Sequence, residues 1–161
     1  MRLQKTRRLL IAALFGVIIS DKMFIVVEAV LLASAALLVK RVGATYVGAV
    51  SGVLAAFWRP ALGLFTFFFA FLYGALIDIF FFLFKVDSIT DKVNRGKAVT
   101  AMTLSTAIIG FLSYYTTAVL LELVPMAARL AATIMVMGSV SGAIAGYAAA
   151  YFWNKHLKNI L

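Results

Sequence analysis

Few side chains in this chain can do chemistry, and where they stand matters more than how many there are. Two carboxylates, Glu28 and Asp78, fall inside long apolar runs. Ionisable groups in such runs are costly and rarely idle. At about 1.5 Å of rise per residue, Glu28 stands near the middle of its run toward one membrane face. Asp78 stands toward the opposite face. The two do not share a depth and are not expected to form a paired acid site. Asp78 is within sequence reach of Lys85, Lys40 or Arg41, which predicts a structural salt bridge. The candidate partners of Glu28 are Arg59 and Arg129. Around them fall Asp21, Trp58, Tyr114, Tyr115, Thr116, Thr117 and Glu122. Aromatic walls with a few polar hooks suit a small-solute site; the same Trp and Tyr residues also suit interfacial anchoring. The expected substrate-binding set is Glu28, Trp58, Arg59, Tyr114, Tyr115 and Arg129.

Catalysis is not expected. There is no Gly-Lys-Ser/Thr phosphate loop, so the chain is not expected to hydrolyse nucleotide itself. The lone His156 lies in the C-terminal tail, and there is no Cys, which removes thiolate metal sites and disulfides. Serines occur without a His or Lys base at similar depth. Neither a metal nor a cofactor is expected in this chain.

The elements that must position these groups follow from composition. The chain has 161 residues, 65% of them hydrophobic, and a mean hydropathy of +1.06. A soluble domain is about 45–50% apolar, and a small one has too little interior to hide the excess. Lipid is the expected solvent. The net charge is +9, but the basic residues fall between apolar runs and form no single stripe. That pattern indicates membrane-flanking charge and no nucleic-acid surface.

Charges divide the chain into six runs, at about residues 8–20, 23–39, 42–58, 61–84, 98–121 and 126–153, forming one transmembrane domain. Spanning helices need roughly 17–25 residues. The first run is short and has a signal-like basic start, but no small-x-small cleavage pattern at Ile18-Ile19-Ser20. It is read as a retained helix. Trp58-Arg59-Pro60 separates the third run from the fourth, since proline removes a backbone donor. Six crossings with both termini cytoplasmic put twelve of the fifteen Lys and Arg residues inside. Those outside are Lys22, Arg59 and Arg129. The positive-inside rule is thus strongly obeyed. The expected fold is an all-α polytopic bundle in a multi-pass cell-membrane protein.

Small residues four apart mark faces where helices approach closely in lipid. Gly138, Gly142, Gly146 and Ala150 form one in the last run, and Gly48 and Gly52 form another in the third. Both are expected to pack internally. Ala12, Gly16 and Ser20 form a third, on the short first run, which could meet another protein. The many phenylalanines of the fourth run are expected to be lipid-facing or core bulk.

Three features stand together: Arg7-Arg8 before a short Ala/Gly helix, the passage from Leu37-Leu38-Val39-Lys40-Arg41 through Val42-Gly43-Ala44-Thr45-Tyr46 to Gly52, and the Gly/Ala-rich last helix with its basic tail. In these, over nearly its whole length, the chain resembles the substrate-binding S components of energy-coupling factor (ECF) vitamin transporters. The resemblance implies a six-helix subunit that captures a vitamin or similar solute from outside. It also implies docking on a transmembrane T component driven by two ATP-binding subunits, with ATP used only by those partners. Ala12 and Gly16 match the family's docking face, with Gly in place of the second Ala. Two rival readings are a membrane scaffold of the MreD type, with Gly74-x-x-x-Asp78 as a parallel, and a stand-alone ion-coupled carrier using Glu28 and Asp78. The absence of a duplicated half argues against the carrier.

Overall fold

A computed structural model describes residues 25–39, 42–58, 63–86, 92–120, 122 and 127–156. The short first run, with Ala12 and Gly16, lies outside the described residues, as do Lys40, Arg41 and Arg59. Among the described residues there are helices and no strands. Helix α1 spans Ile25–Leu38, α2 Gly43–Trp58, α3 Gly63–Leu83, α4 Arg95–Tyr115 and α5 Ala128–Lys155. They correspond to the second through sixth apolar runs.

Among the described residues, three helical stretches are long and apolar enough to cross a membrane: Gly63–Leu83, Arg95–Val119 and Ala128–Lys155. The helices also show large apolar side chains outward. Leu64 is 84% exposed, Phe57 79% and Phe82 71%. Water would not tolerate such a surface on a small monomer, whereas lipid tails match it. These features mark a membrane protein.

Without water, each helix must satisfy its own backbone, and association depends on close packing and on polar groups that find partners. The α2–α3 pair is antiparallel. Gly48 lies against Ala70 and Gly74, and Gly52 against Phe67 and Ala70. Gly74 in turn admits the backbone of Ala44 and Thr45. The α4–α5 pair is built the same way: Gly138 faces Thr106, Gly142 faces Met102, and Gly146 faces Ala98. One turn forward on α5 matches one turn back on α4. Both glycine faces therefore pack within the chain, as expected. The core that results joins Ala29, Leu32, Ala33 and Leu37 of α1 to Ile77 and Phe81 of α3, Ala98, Ala101 and Met102 of α4, and Ala145, Ala149 and Trp153 of α5.

Asp78 departs from expectation. It is buried, with 6% of its surface exposed. Its carboxylate accepts from the Thr45 backbone N–H (2.7 Å), the Thr45 hydroxyl (2.6 Å) and the Ala44 N–H (3.2 Å). The partner seen is the N-terminus of α2; among the described residues the expected Lys85 makes no ion pair with it, and Lys40 and Arg41 lie outside them. The first N–H groups of any helix lack intrahelical acceptors, and α2 has no capping side chain of its own at Val42 or Gly43. Asp78 supplies the missing acceptor from the neighbouring helix, at the positive end of the α2 dipole.

The two ends of the bundle differ. At one end α3 stops and α4 starts, among Lys85, Lys92, Arg95 and Lys97, with Lys155 closing α5. Lys85 adopts φ 49°, while its N–H donates to Phe82 and that of Val86 to Phe81. That is a Schellman ending with lysine where glycine is usual. The Asn154 amide then locks α5 to the α3–α4 link, accepting from the Val93 N–H (2.8 Å) and donating to its carbonyl (3.0 Å). Arg95 lies over the rings of Tyr147 and Tyr151, and Lys155 donates to the Tyr151 hydroxyl. At the opposite end α1, α3 and α5 begin, near Glu122 and Arg129. The candidate site is there.

Candidate functional site

Toward that end four helices line a partly open cavity of about 730 Å³, within the usual range of small-molecule sites. Helix α1 contributes Ile25, Val26 and Glu28, and α3 contributes Phe65, Thr66, Phe69, Ala70 and Tyr73. Helix α4 adds Thr106, Ile109, Gly110 and Ser113, and Thr117 follows in the π-helical turn Thr116–Leu120. Helix α5 closes the wall with Ile134, Val136, Met137, Gly138, Val140, Ser141 and Ile144. The wall is chiefly apolar, with hydroxyls set into it.

Three of those hydroxyls are held by the helices that carry them. Thr106 donates to the Met102 carbonyl (2.6 Å), and its oxygen lies 3.2 Å from the Tyr73 hydroxyl. Thr117 donates to Ser113 (2.7 Å) and Ser141 to Gly138 (3.0 Å). Back-bonding of this kind satisfies a hydroxyl donor in an apolar setting. The oxygen lone pairs stay available to accept from a ligand. The Tyr73–Thr106 contact sets its two hydroxyls at the place where α3 meets α4.

Glu28 is the one ionisable carboxylate among the described lining residues. It is exposed and, among the described residues, no hydrogen-bond or ion-pair partner meets its carboxylate. Nor does the described lining include a lysine or arginine.

The other predicted site residues fall differently. Trp58 ends α2. Tyr114 is buried, and its hydroxyl accepts from the Ala127 N–H (2.8 Å) and donates to the Ala127 carbonyl (3.2 Å). It pins the start of α5 to the end of α4. Tyr115 is exposed and stacks on Phe111. Arg129 stands exposed in the first turn of α5. Tyr114, Tyr115 and Arg129 do not line the cavity; of the six, Glu28 does.

The structure adds Tyr73, Thr106, Ser113, Thr117 and Ser141. The first was hidden among phenylalanines. The α4 hydroxyls carry a signal that spacing could have revealed, because residues 106, 113 and 117, with glycine at 110, recur at helical spacing on one face. No cluster of His, Cys, Asp or Glu suited to a metal occurs among the described residues.

Comparison with protein-family models, with curated proteins and with solved structures finds no match to this chain.

Proposed function

We propose that this chain is the membrane-embedded solute-binding subunit of an ATP-driven uptake transporter of the ECF type, taking up a vitamin or similar small solute. The observation that carries the reading is the cavity of about 730 Å³ between α1, α3, α4 and α5. Its apolar walls and fixed hydroxyls suit an organic solute better than a bare ion. Its lining lies toward the end away from Lys85, Lys92, Arg95, Lys97 and Lys155, which under the positive-inside rule is the external end. The full arrangement proposed is six crossings with both termini cytoplasmic. The solute enters from outside, and the loaded subunit works against a T component, with Ala12 and Gly16 as the docking face. Two ATP-binding subunits supply the energy.

The rival readings lose their particular support. The Gly74-x-x-x-Asp78 patch that parallels the scaffold type is engaged in holding α2, so no outside partner is needed to account for it. A lone carrier using Glu28 and Asp78 would need Asp78 for transport, and that carboxylate is committed to a helix terminus.

Two measurements test this. The chain has no Cys, so single cysteines report topology directly. In intact cells a membrane-impermeant thiol reagent is expected to label Glu122→Cys at once and Lys92→Cys only after permeabilisation. The reverse pattern overturns the orientation, and equal labelling overturns the crossing between them. Second, a solute library screened by thermal melting in detergent is expected to yield a specific stabiliser. A ligand at a hundred times its Kd stabilises by about 2.7 kcal/mol. Ser113→Trp, which fills the cavity, is expected to abolish that shift and leave the unliganded melting temperature unchanged. If no solute shifts the wild type and none copurifies by mass spectrometry, the binding function is wrong.

A further inference from the structure

We propose that the solute of this cavity is a small organic cation, an ammonium or cationic heteroaromatic group on an apolar body, with the Glu28 carboxylate as its counter-ion. The inference rests on the solute-binding reading and narrows it to one charge class. A carboxylate beside an apolar cavity in a membrane loses most of its hydration and must find a proton, a partner or a ligand. Among the described residues Glu28 has no partner, and no lysine or arginine lines the cavity there. Of its two expected partners, Arg129 stands outside the lining and Arg59 lies outside the described residues.

The remaining wall agrees with a cation and disfavours an anion. Phe65, Phe69 and Tyr73 bring aromatic rings to the wall, and the negative quadrupole of a ring face attracts a positive charge. The hydroxyls of Thr106, Thr117 and Ser141 already donate to backbone carbonyls. What they offer a ligand is lone pairs, which ammonium or ring N–H groups can use. A carboxylate or phosphate would find the wrong charge in Glu28, and at Thr106, Thr117 and Ser141 acceptors where it needs donors. The volume has room for an aromatic ring with a side chain.

The test uses four probes of matched size on the full chain in detergent: 2-phenylethylammonium, its trimethylammonium analogue, 2-phenylethanol and 3-phenylpropanoate. The two cations are expected to bind best, by calorimetry and by melting shift. Glu28→Gln is expected to weaken cation binding by about 10–100-fold and to leave 2-phenylethanol unchanged. Glu28→Asp, which keeps the charge, is expected to retain most of the cation preference. The unliganded melting temperature of both variants checks that the fold survives. Equal or tighter binding of the neutral or anionic probe overturns the cation inference and leaves the cavity reading standing. So does a cation affinity that Glu28→Gln does not change. Failure of all four probes to bind, even at millimolar concentration, overturns both.

Discussion

Asp78→Ala is expected to destabilise the folded chain by about 3–5 kcal/mol, as much as truncating a large buried core side chain. The carboxylate accepts three hydrogen bonds at the start of α2. Bonds to a charged acceptor are worth about 1.5–3 kcal/mol each, and a buried N–H left without an acceptor costs about 1–3 kcal/mol. The three are not additive, because the α2 terminus can partly relax. Water cannot easily take the place of Asp78, since Ala44 is fully buried and Gly74 lies directly against the Ala44–Thr45 backbone. Asp78→Asn should fall between, losing about 1–2 kcal/mol. Its amide oxygen can still accept, but its NH₂ group faces donors. Thermal unfolding in detergent gives the order, and amide hydrogen exchange at Ala44 and Thr45 gives the cause. Exchange that accelerates in the alanine variant at those two amides, ahead of the rest of α2, is the expected signature. A variant that melts like the wild type would show that the α2 terminus is satisfied some other way.

Gly142→Ala carries the second large effect, from the addition of one methyl group. A Cβ there would lie 2.5 Å from the Met102 carbonyl oxygen and 2.6 Å from the Thr106 hydroxyl. Neither is the end of a long flexible side chain. Helices α4 and α5 would have to separate, and overpacking of this kind costs about 1–3 kcal/mol. The variant should also weaken solute binding, because Thr106 is the hydroxyl that meets Tyr73 in the cavity. Gly110→Ala is the control. Its added Cβ would meet Ile134 at 3.5 Å, an ordinary contact. Alanine is favoured over glycine inside a helix by about 0.5–1 kcal/mol, so Gly110→Ala should leave melting unchanged or raise it. Equal losses in both variants would mean that the α4–α5 approach is looser than described.

Both predictions concern features that were half legible in the sequence. The glycine spacing at 138, 142 and 146 announced a close helix contact, and the contact is there. Which helix it meets was not written in that spacing. Asp78 could be recognised as a polar group at depth, but the helix terminus that partners it was not foreseen. Lysine and arginine are the obvious counter-charges by sequence, and Lys85 is only seven residues away. Antiparallel packing of α2 on α3 instead delivers a helix terminus to the carboxylate. Tyr114 and Tyr115 are neighbours in sequence and looked like parts of one aromatic wall. On a helix, adjacent residues point about 100° apart. One hydroxyl is therefore buried against Ala127, while the other ring stacks on Phe111 outside the cavity. Tyr73 went unnoticed because a tyrosine in a phenylalanine-rich run looks like bulk.

The sequence by itself determined that the chain is helical and belongs in a membrane. Long apolar runs have no other stable solvent, and a backbone in lipid must bond within its own segment. It also determined approximately where the helices begin and end, because charges and prolines do not continue into hydrocarbon. The tertiary structure alone decided which polar groups share a space. In a soluble helix the polar face announces the outside. Here both faces are apolar, so the pattern does not say which side turns inward. That choice is made by where glycines let backbones approach, and by which hydroxyl, carboxylate or helix terminus is then close enough to satisfy its neighbour. The same packing that gives Asp78 its helix terminus leaves Glu28 at the edge of a cavity, with no partner among the described residues.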